Sequence, residues 1–443
     1  MSTRSLRLPK YSIGVGDRFS LQGQAQLQAC VSALQQGVEV IPVWNKSNRE
    51  HSIIGSAPSQ MRLAGRGAVE MGEWTRPYFV DADHIGLETV DPFIEPCDFF
   101  TIDVADKIGV PADPDCVNEF TNRHPELFAE IPLGSLGPAL KANRAQIDKA
   151  ARKYLAAVYE AGKIYRYIEE RKGAGQFISE ISMDETDLPQ KPIELLVILA
   201  AIADEKIPIQ TIAPKFAGRF NKGVDFRGDV QAFTREFSAD LAVVACAIRE
   251  YDLPDNLKLS IHSGSDKFSL YAHIAAAIKS VGAGLHLKTA GTTWLEEVAG
   301  LARAGGRGLN IAKEIYAQAY GQMEELCKPY ATVIEIDREQ LPLPAVVKSW
   351  TSHQYVGALH HDQNCREYNP NLRQLPPLSE RAGFRDQMVE IIRESSCAAI
   401  RITNQRPSLF ATRARTARRF CRKKKSAMEV PQSRTRSFGV TSK

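Results

Sequence analysis

The chain has no C-x-x-C pair, no G-x-G-x-x-G turn and no apolar run long enough for a membrane. Each absence removes a class of protein. Eight cysteines stand singly between Cys30 and Cys421, so neither a zinc knuckle nor a redox dithiol is offered. They read as reduced, mostly buried small hydrophobes. The longest apolar stretch, Leu195 to Ala203, falls far short of the roughly 20 residues a membrane-spanning helix needs. Met1-Ser2-Thr3-Arg4 leads into no apolar segment of a secretory signal, and the expectation is a soluble, cytoplasmic protein. Gly14-Val15-Gly16 lacks a third glycine, which leaves a nicotinamide or flavin fold poorly supported.

What remains has ordinary globular proportions, 44% hydrophobic and 24% charged, which excludes wholesale disorder, collagen and coiled coil. The charge is unevenly spread. Residues 376–443 hold 16 Lys+Arg against 5 Asp+Glu, while the rest of the chain holds 40 against 47. A mildly acidic body, 1–375, therefore carries a basic tail with few large apolar residues to bury, read as a disordered terminus. No aromatic residues interleave the basic run in a way that suggests base stacking, so nucleic acid is not an expected partner.

Within 1–375, short β-rich runs alternate with helix-period segments. The expected strands are Val38–Trp44, Pro77–Asp81, Phe99–Asp103, Phe177–Met183, Ile207–Ile212, Leu257–Ile261, Gly284–Leu287, Thr332–Ile336 and Tyr355–Leu359. Leu27, Cys30, Val31 and Leu34 form a helical stripe closed by Gly37, and Phe233, Phe237, Leu241, Val244 and Ile248 form another. Strand–helix alternation argues for a parallel sheet, and strands apolar throughout argue that both faces are covered. The expected architecture is an α/β, TIM-type (β/α)8 barrel with insertions, with a doubly wound open sheet as the alternative.

In such a barrel, chemistry sits where strands end. Three of only nine histidines, His84, His262 and His286, fall at the ends of expected strands beside carboxylates and lysines. Imidazoles with one or two carboxylates suit a divalent cation, with Zn, Mn, Fe, Co and Ni all possible. Asp83 and Glu185, from different strands, form an acid/base pair able to approach opposite faces of one carbon. Asp83 also fits a partner of His84, and Asp184 could do the work given to Glu185. Lys215, Arg219 and Lys222 lie in a glycine-containing loop whose cations suit an anionic substrate or a solvated surface. Asp225 or Asp229 could ligate the cation, although Asp229 also fits a helix N-cap.

The strings SIGVGDRF (12–19), DADH (81–84), FTIDVADKI (100–108), SMDETDLPQKPIELL (182–196), APKFAGRFNKGVDFRGD (213–229), SIHSGSDKF (260–268) and HLKTAGTTWLEE (286–297) together resemble the tagaturonate epimerases. The resemblance runs from about Ser12 to Gln374. It implies a metal-dependent barrel that interconverts two anionic sugar acids, D-tagaturonate and D-fructuronate. Carried over by position, it implies Asp83 as proton acceptor, Glu185 as proton donor, and His84 and His262 as metal ligands. His286 is the expected third ligand, with Asp229 as substitute. The charged residues of these motifs, Asp17, Arg18, Lys215, Lys222, Asp266, Lys267 and Lys288, are the expected substrate contacts.

Two departures stand out. Family members carry a further segment before the GDR motif, whereas here Gly16-Asp17-Arg18 comes almost at once. The match also stops after Leu375, where relatives continue into helices and this chain turns Arg-rich. Abrupt loss of match with a change of composition is the mark of a reading-frame shift, and residues 376–443 are expected to be out-of-frame or disordered sequence.

Overall fold

The computed structural model describes residues 5–375, apart from residues 133, 185, 187, 332, 361, 362 and 364. The basic tail therefore lies outside the described residues. Eight parallel strands close into a barrel in chain order: β1 Tyr11–Gly16, β2 Ile41–Ser47, β3 Phe79–Ile85, β4 Phe99–Asp103, β5 Ile178–Met183, β6 Thr211–Pro214, β7 Lys258–His262 and β8 Leu285–Lys288. Ser12 pairs with both Ile41 of β2 and His286 of β8, which closes the ring. The TIM-type barrel is present and the open-sheet alternative is not.

Seven of the nine expected strands fall in the barrel, shifted by a few residues. Two do not. Tyr355–Leu359 lies in the helix Ser352–Ala358, whose start is fixed by a capping box between Thr351 and Gln354. The described part of Thr332–Ile336 forms no strand. The eighth strand is β1, which the glycines of Gly14-Val15-Gly16 disguise as a loop. They face inward, and a side chain at Gly14 would collide with its neighbours: a Cβ there would sit 2.6 Å from Lys288 Cγ and 3.0 Å from Asn45 Nδ2.

Helices pack around the strands. Gly23–Gln35 follows β1, Pro58–Met71 follows β2, and the long Arg144–Lys172 follows β4 after an insertion of mostly irregular chain. Beyond β8, Ala290–Ala304 and Gly306–Gly321 build a second small core around Trp294, Leu301, Ile311, Tyr316 and Tyr355.

The expectation of strands apolar throughout is corrected by the barrel interior. Ser12, Asn45, Asp81, Thr101, Glu180, Thr211, Ser260 and His286 are all buried. Mostly apolar side chains, Trp44 and Phe100 among them, cover the outer faces of the strands beneath the helices, and polar ones occupy much of the inner face. Such an interior is tolerated only where charges are paired and hydrogen-bonded.

Candidate functional site

The site begins with an irregularity in β3. In a regular strand consecutive side chains point to opposite faces, yet Asp83 and His84 both reach the barrel mouth. The register between β3 and β4 shifts between Ala82 and Ile85, and His84 adopts φ +50°. A bulge of this kind re-aims a side chain, and its left-handed backbone is a strain that a functional site can hold.

Around it, imidazoles and carboxylates converge. One ligand atom each from His84, Asp184 and His262 lies within 4.8 Å of the other two. The two imidazole rings are 5.1 Å apart. Each is oriented by a carboxylate on its far side: His84 Nδ1 donates to Asp103 Oδ2 at 3.0 Å, and His262 Nε2 donates to Glu180 Oε1 at 2.8 Å. His84 Nε2 then lies 3.8 Å from Asp83 Oδ1, and His262 Nδ1 lies 3.3 Å from Asp184 Oδ2.

The electrostatics follow from this geometry. Burial alone would lower His84, but Asp83 and the hydrogen-bonded Asp103 outweigh it and raise it to about 10. In His262 burial is likewise outweighed, by Asp184 and Glu180, and the ring rises to about 9. Burial would push the Asp83 carboxyl up, yet Lys288 and His84 hold it down at about 2. Asp184 is held well below its ordinary range against the same burial, chiefly by His262.

These residues fit a divalent cation. With its Nε2 hydrogen accepted by Glu180, His262 turns its buried Nδ1 toward Asp184 Oδ2 at 3.3 Å, and a cation taking the place of the Nδ1 proton would have both atoms as donors. His84 Nε2 and an Asp184 oxygen complete a three-donor set, with outer carboxylates that fix both rings as second partners of ligating histidines commonly do.

Beside this set, Lys288 ties the acidic residues together. Its Nζ lies 2.8 Å from Asp81 Oδ2, 2.8 Å from Asp83 Oδ1 and 3.3 Å from Glu180 Oε1, and donates to Thr101 Oγ1 at 2.5 Å. Burial disfavours the ammonium, but three carboxylates reverse this and raise Lys288 well above its ordinary value. It stays charged, so it is a counter-ion rather than a nucleophile.

The other expected residues divide. His286 is not a member of the triad. It lies two residues before the end of β8, one layer deeper, where Ser12 Oγ meets its Nδ1 at 2.8 Å and burial lowers it to about 3. Asp229 is an exposed helix cap that accepts from Gln231 N at 2.8 Å and Ala232 N at 3.1 Å, so the capping alternative holds. Asp225 accepts from Ser269 N and Oγ. Asp17 accepts from the backbone of Leu21 and Gln22, holding the turn after β1. Asp266 accepts from Tyr271. Lys267 donates to the carbonyls of Asn221, Ser263 and Ser265, which binds the β6 and β7 loops together. Arg18 stacks over Trp294 and lies 3.4 Å from Glu50, while Lys215 reaches the Asp184 carbonyl at 3.4 Å. Lys222 lies over the Tyr330 ring. Glu185 is outside the described residues.

Sequence reasoning missed Glu180, Asp103, Asp81 and Thr101. The available signal was a charged or hydroxylated residue at alternate positions inside an otherwise buried strand.

A closed parallel barrel whose mouth gathers two oriented imidazoles, ionised carboxylates and a fixed ammonium defines a TIM-barrel enzyme for a small polar substrate. The model of the tagaturonate epimerase family matches residues 2–366, and the chain belongs to that family of isomerases. A tagaturonate/fructuronate epimerase of Thermotoga maritima is 27% identical over 369 residues, covering 80% of this chain and 71% of its own. In structure, the chain is similar to the glycerol-complexed fructuronate-tagaturonate epimerase of Cohnella laeviribosi. That pair has a TM-score of 0.73 and 23% identity, covering 89% of this chain and 79% of the other. The native form of the same enzyme gives a TM-score of 0.72 at 22% identity, covering 91% and 81%. These likenesses carry the fold. Among the described residues no helix is long and apolar enough to cross a membrane.

Proposed function

We propose that the chain interconverts D-tagaturonate and D-fructuronate with a divalent cation held by His84, Asp184 and His262. Family membership supports the substrate, and the convergence of those three residues beside Asp83 supports the chemistry. The two keturonates differ at the carbon β to the ketone, whose hydrogen the ketone does not acidify. Enolisation cannot invert that centre. Breaking the α–β carbon bond can: a proton leaves the β-hydroxyl, the bond's electrons pass to the ketone side as an enediolate, and an aldehyde remains. The aldehyde turns its other face, the bond re-forms, and a proton returns to the new alkoxide.

The cation, when bound, would supply Lewis-acid polarisation of the ketone side. The chain's own residues do the rest. Asp83, at the mouth beside His84 and Lys288, is assigned the acceptance of the hydroxyl proton. Glu185, adjacent to Asp184 in sequence, is assigned the return of a proton. Asp103 and Glu180 hold the rings in register. Lys288 also argues against a carbon–carbon cleavage through a lysine imine, because that route needs a neutral amine and Lys288 is locked as an ammonium.

Incubation of the purified chain with each keturonate, with and without chelator, tests the reading. Interconversion that is lost with chelator and restored by metal is expected; no interconversion in metal-supplemented buffer overturns it. Run in heavy water, the reaction should leave the β C–H unlabelled, and deuterium entering there rules out the bond-breaking route.

A further inference from the structure

Tyr330 sits where two sides of the barrel mouth meet. The Arg49 guanidinium carbon lies 5.0 Å from the centre of its ring, and Lys222 Nζ lies 4.3 Å away. Arg49 follows the end of β2 by two residues, and Lys222 belongs to the loop after β6. In a closed ring of eight, β2 and β6 are four strands apart in either direction. A single ring in contact with groups from both loops bridges the opening.

Register and packing locate each anchor relative to the reacting cluster. Ser47, the last residue of β2, is in register with Asp83, and Arg49 lies two positions further on. Lys222 packs beside Gly264, two positions past His262: a Cβ on that glycine would lie 3.3 Å from Lys222 Cγ. The segment carrying Tyr330 is fastened on the β6 side. Lys222 N donates to Val333 O at 2.8 Å, and Arg227 donates to Glu335 at 2.8 Å. Toward β2 it reaches out through the tyrosine ring.

The energetics of such a grip favour exchange. A cation over an aromatic face has no directed donor–acceptor contact, whereas hydrogen bonds from a cation to a carboxylate are roughly twice as strong as neutral ones. A carboxylate entering the mouth therefore offers either cation a stronger partner than the ring.

We propose that Arg49, Tyr330 and Lys222 form a clasp for the substrate's carboxylate. The ring holds two cations across the opening, and an arriving sugar acid draws them from the ring onto its own carboxylate while the reacting carbons settle beside Asp83. This rests on the keturonate reading and deepens it, because it names the group that separates a sugar acid from a neutral ketose. Arg49 and Tyr330 are specificity-determining residues, and neither belongs to the acid/base or cation-holding set.

The test uses the full chain and two unreactive probes of matched length, gluconate and the neutral galactitol, titrated calorimetrically. Arg49→Ala and Lys222→Ala should each weaken gluconate about 10- to 100-fold, the effect of losing one charge-assisted contact. Galactitol should change less than twofold. Tyr330→Phe, which keeps the ring, should match wild type, and Tyr330→Ala, which removes the face the carboxylate displaces, should bind gluconate no more weakly than wild type. With the keturonates themselves, Arg49→Ala should raise KM and leave kcat unchanged. The clasp is overturned if gluconate affinity survives both cation deletions, if galactitol weakens in parallel, or if the wild-type chain does not prefer gluconate. Because these titrations need no turnover, an inactive wild type overturns the epimerase reading while the clasp is judged separately.

Discussion

Two lysines on neighbouring strands point into the same barrel and meet opposite fates. Lys258 begins β7 at the barrel floor and Lys288 ends β8 at the mouth, with 3% and 4% exposure. Lys258 Nζ donates to the carbonyls of Leu8 at 3.2 Å and Pro9 at 2.8 Å, plugging the floor with the N-terminal segment. Burial has no carboxylate to oppose it there, and Lys258 falls to about 7. At the mouth the same burial is reversed by Asp81, Asp83 and Glu180, and Lys288 rises. Inaccessibility alone thus says nothing about role. The floor uses an ammonium to seal backbone, and the mouth uses one to hold three carboxylates side by side.

Removing each lysine breaks this comparison in a different way. Lys288→Met strands three buried carboxylates, so it should destabilise the fold by roughly 3–5 kcal/mol and reduce epimerisation by roughly 10²–10³-fold. Chemical denaturation and rates at saturating keturonate measure the two losses; activity within tenfold of wild type would contradict the counter-ion role. A smaller effect is expected from Glu180→Gln, which keeps an acceptor for His262 but removes its charge. Loss of such an outer partner typically costs about 10–100-fold in metal affinity. Competition with a coloured chelator reads it directly, and an unchanged affinity would mean that His262 is not oriented for a cation.

The same contrast explains what the sequence could disclose. His84 and His262 were legible because each ends an apolar run, where a barrel exposes its chemistry. Asp83 was legible for its company. His286 was expected at the rim, but β8 runs on to Lys288, and a shift of two residues places its side chain one layer deeper on the same face. Glu180 and Thr101 stayed hidden because Ile178, Ile181, Phe100 and Ile102 around them read as buried strand, and nothing local distinguishes a paired inward charge from an outward one. The barrel itself was legible from strand–helix alternation, whereas β1 was not, since its glycines yield space to Lys288 from the far end of the chain. Tyr355–Leu359 has strand-like residues, but the Thr351–Gln354 cap starts a helix there.

The smallest expected effect lies at the floor, and its sign is what makes it decisive. Lys258 has an ordinary value of 10.5 and a folded value of about 7. The folded protein therefore releases this proton before the unfolded chain does, and the cost of burying the charge is fully present below pH 7 and fades as pH rises toward 10.5. Lys258→Met removes that cost along with hydrogen bonds worth about 0.5–1.5 kcal/mol each. Relative to wild type, the variant should gain stability at pH 6.5 and come close to wild type near pH 9.5, where the remaining burial cost of about 1.4 kcal/mol is offset by the lost hydrogen bonds. Denaturation midpoints of both proteins at the two pH values give the difference. Lys288 has the opposite sign, since its raised value contributes stability that is lost only as pH climbs past 10.5. A Lys258→Met difference that is flat with pH, or that grows more favourable toward pH 9.5, would mean that the floor lysine is matched by charge as the mouth lysine is, and the contrast between the two ends of the barrel would fall.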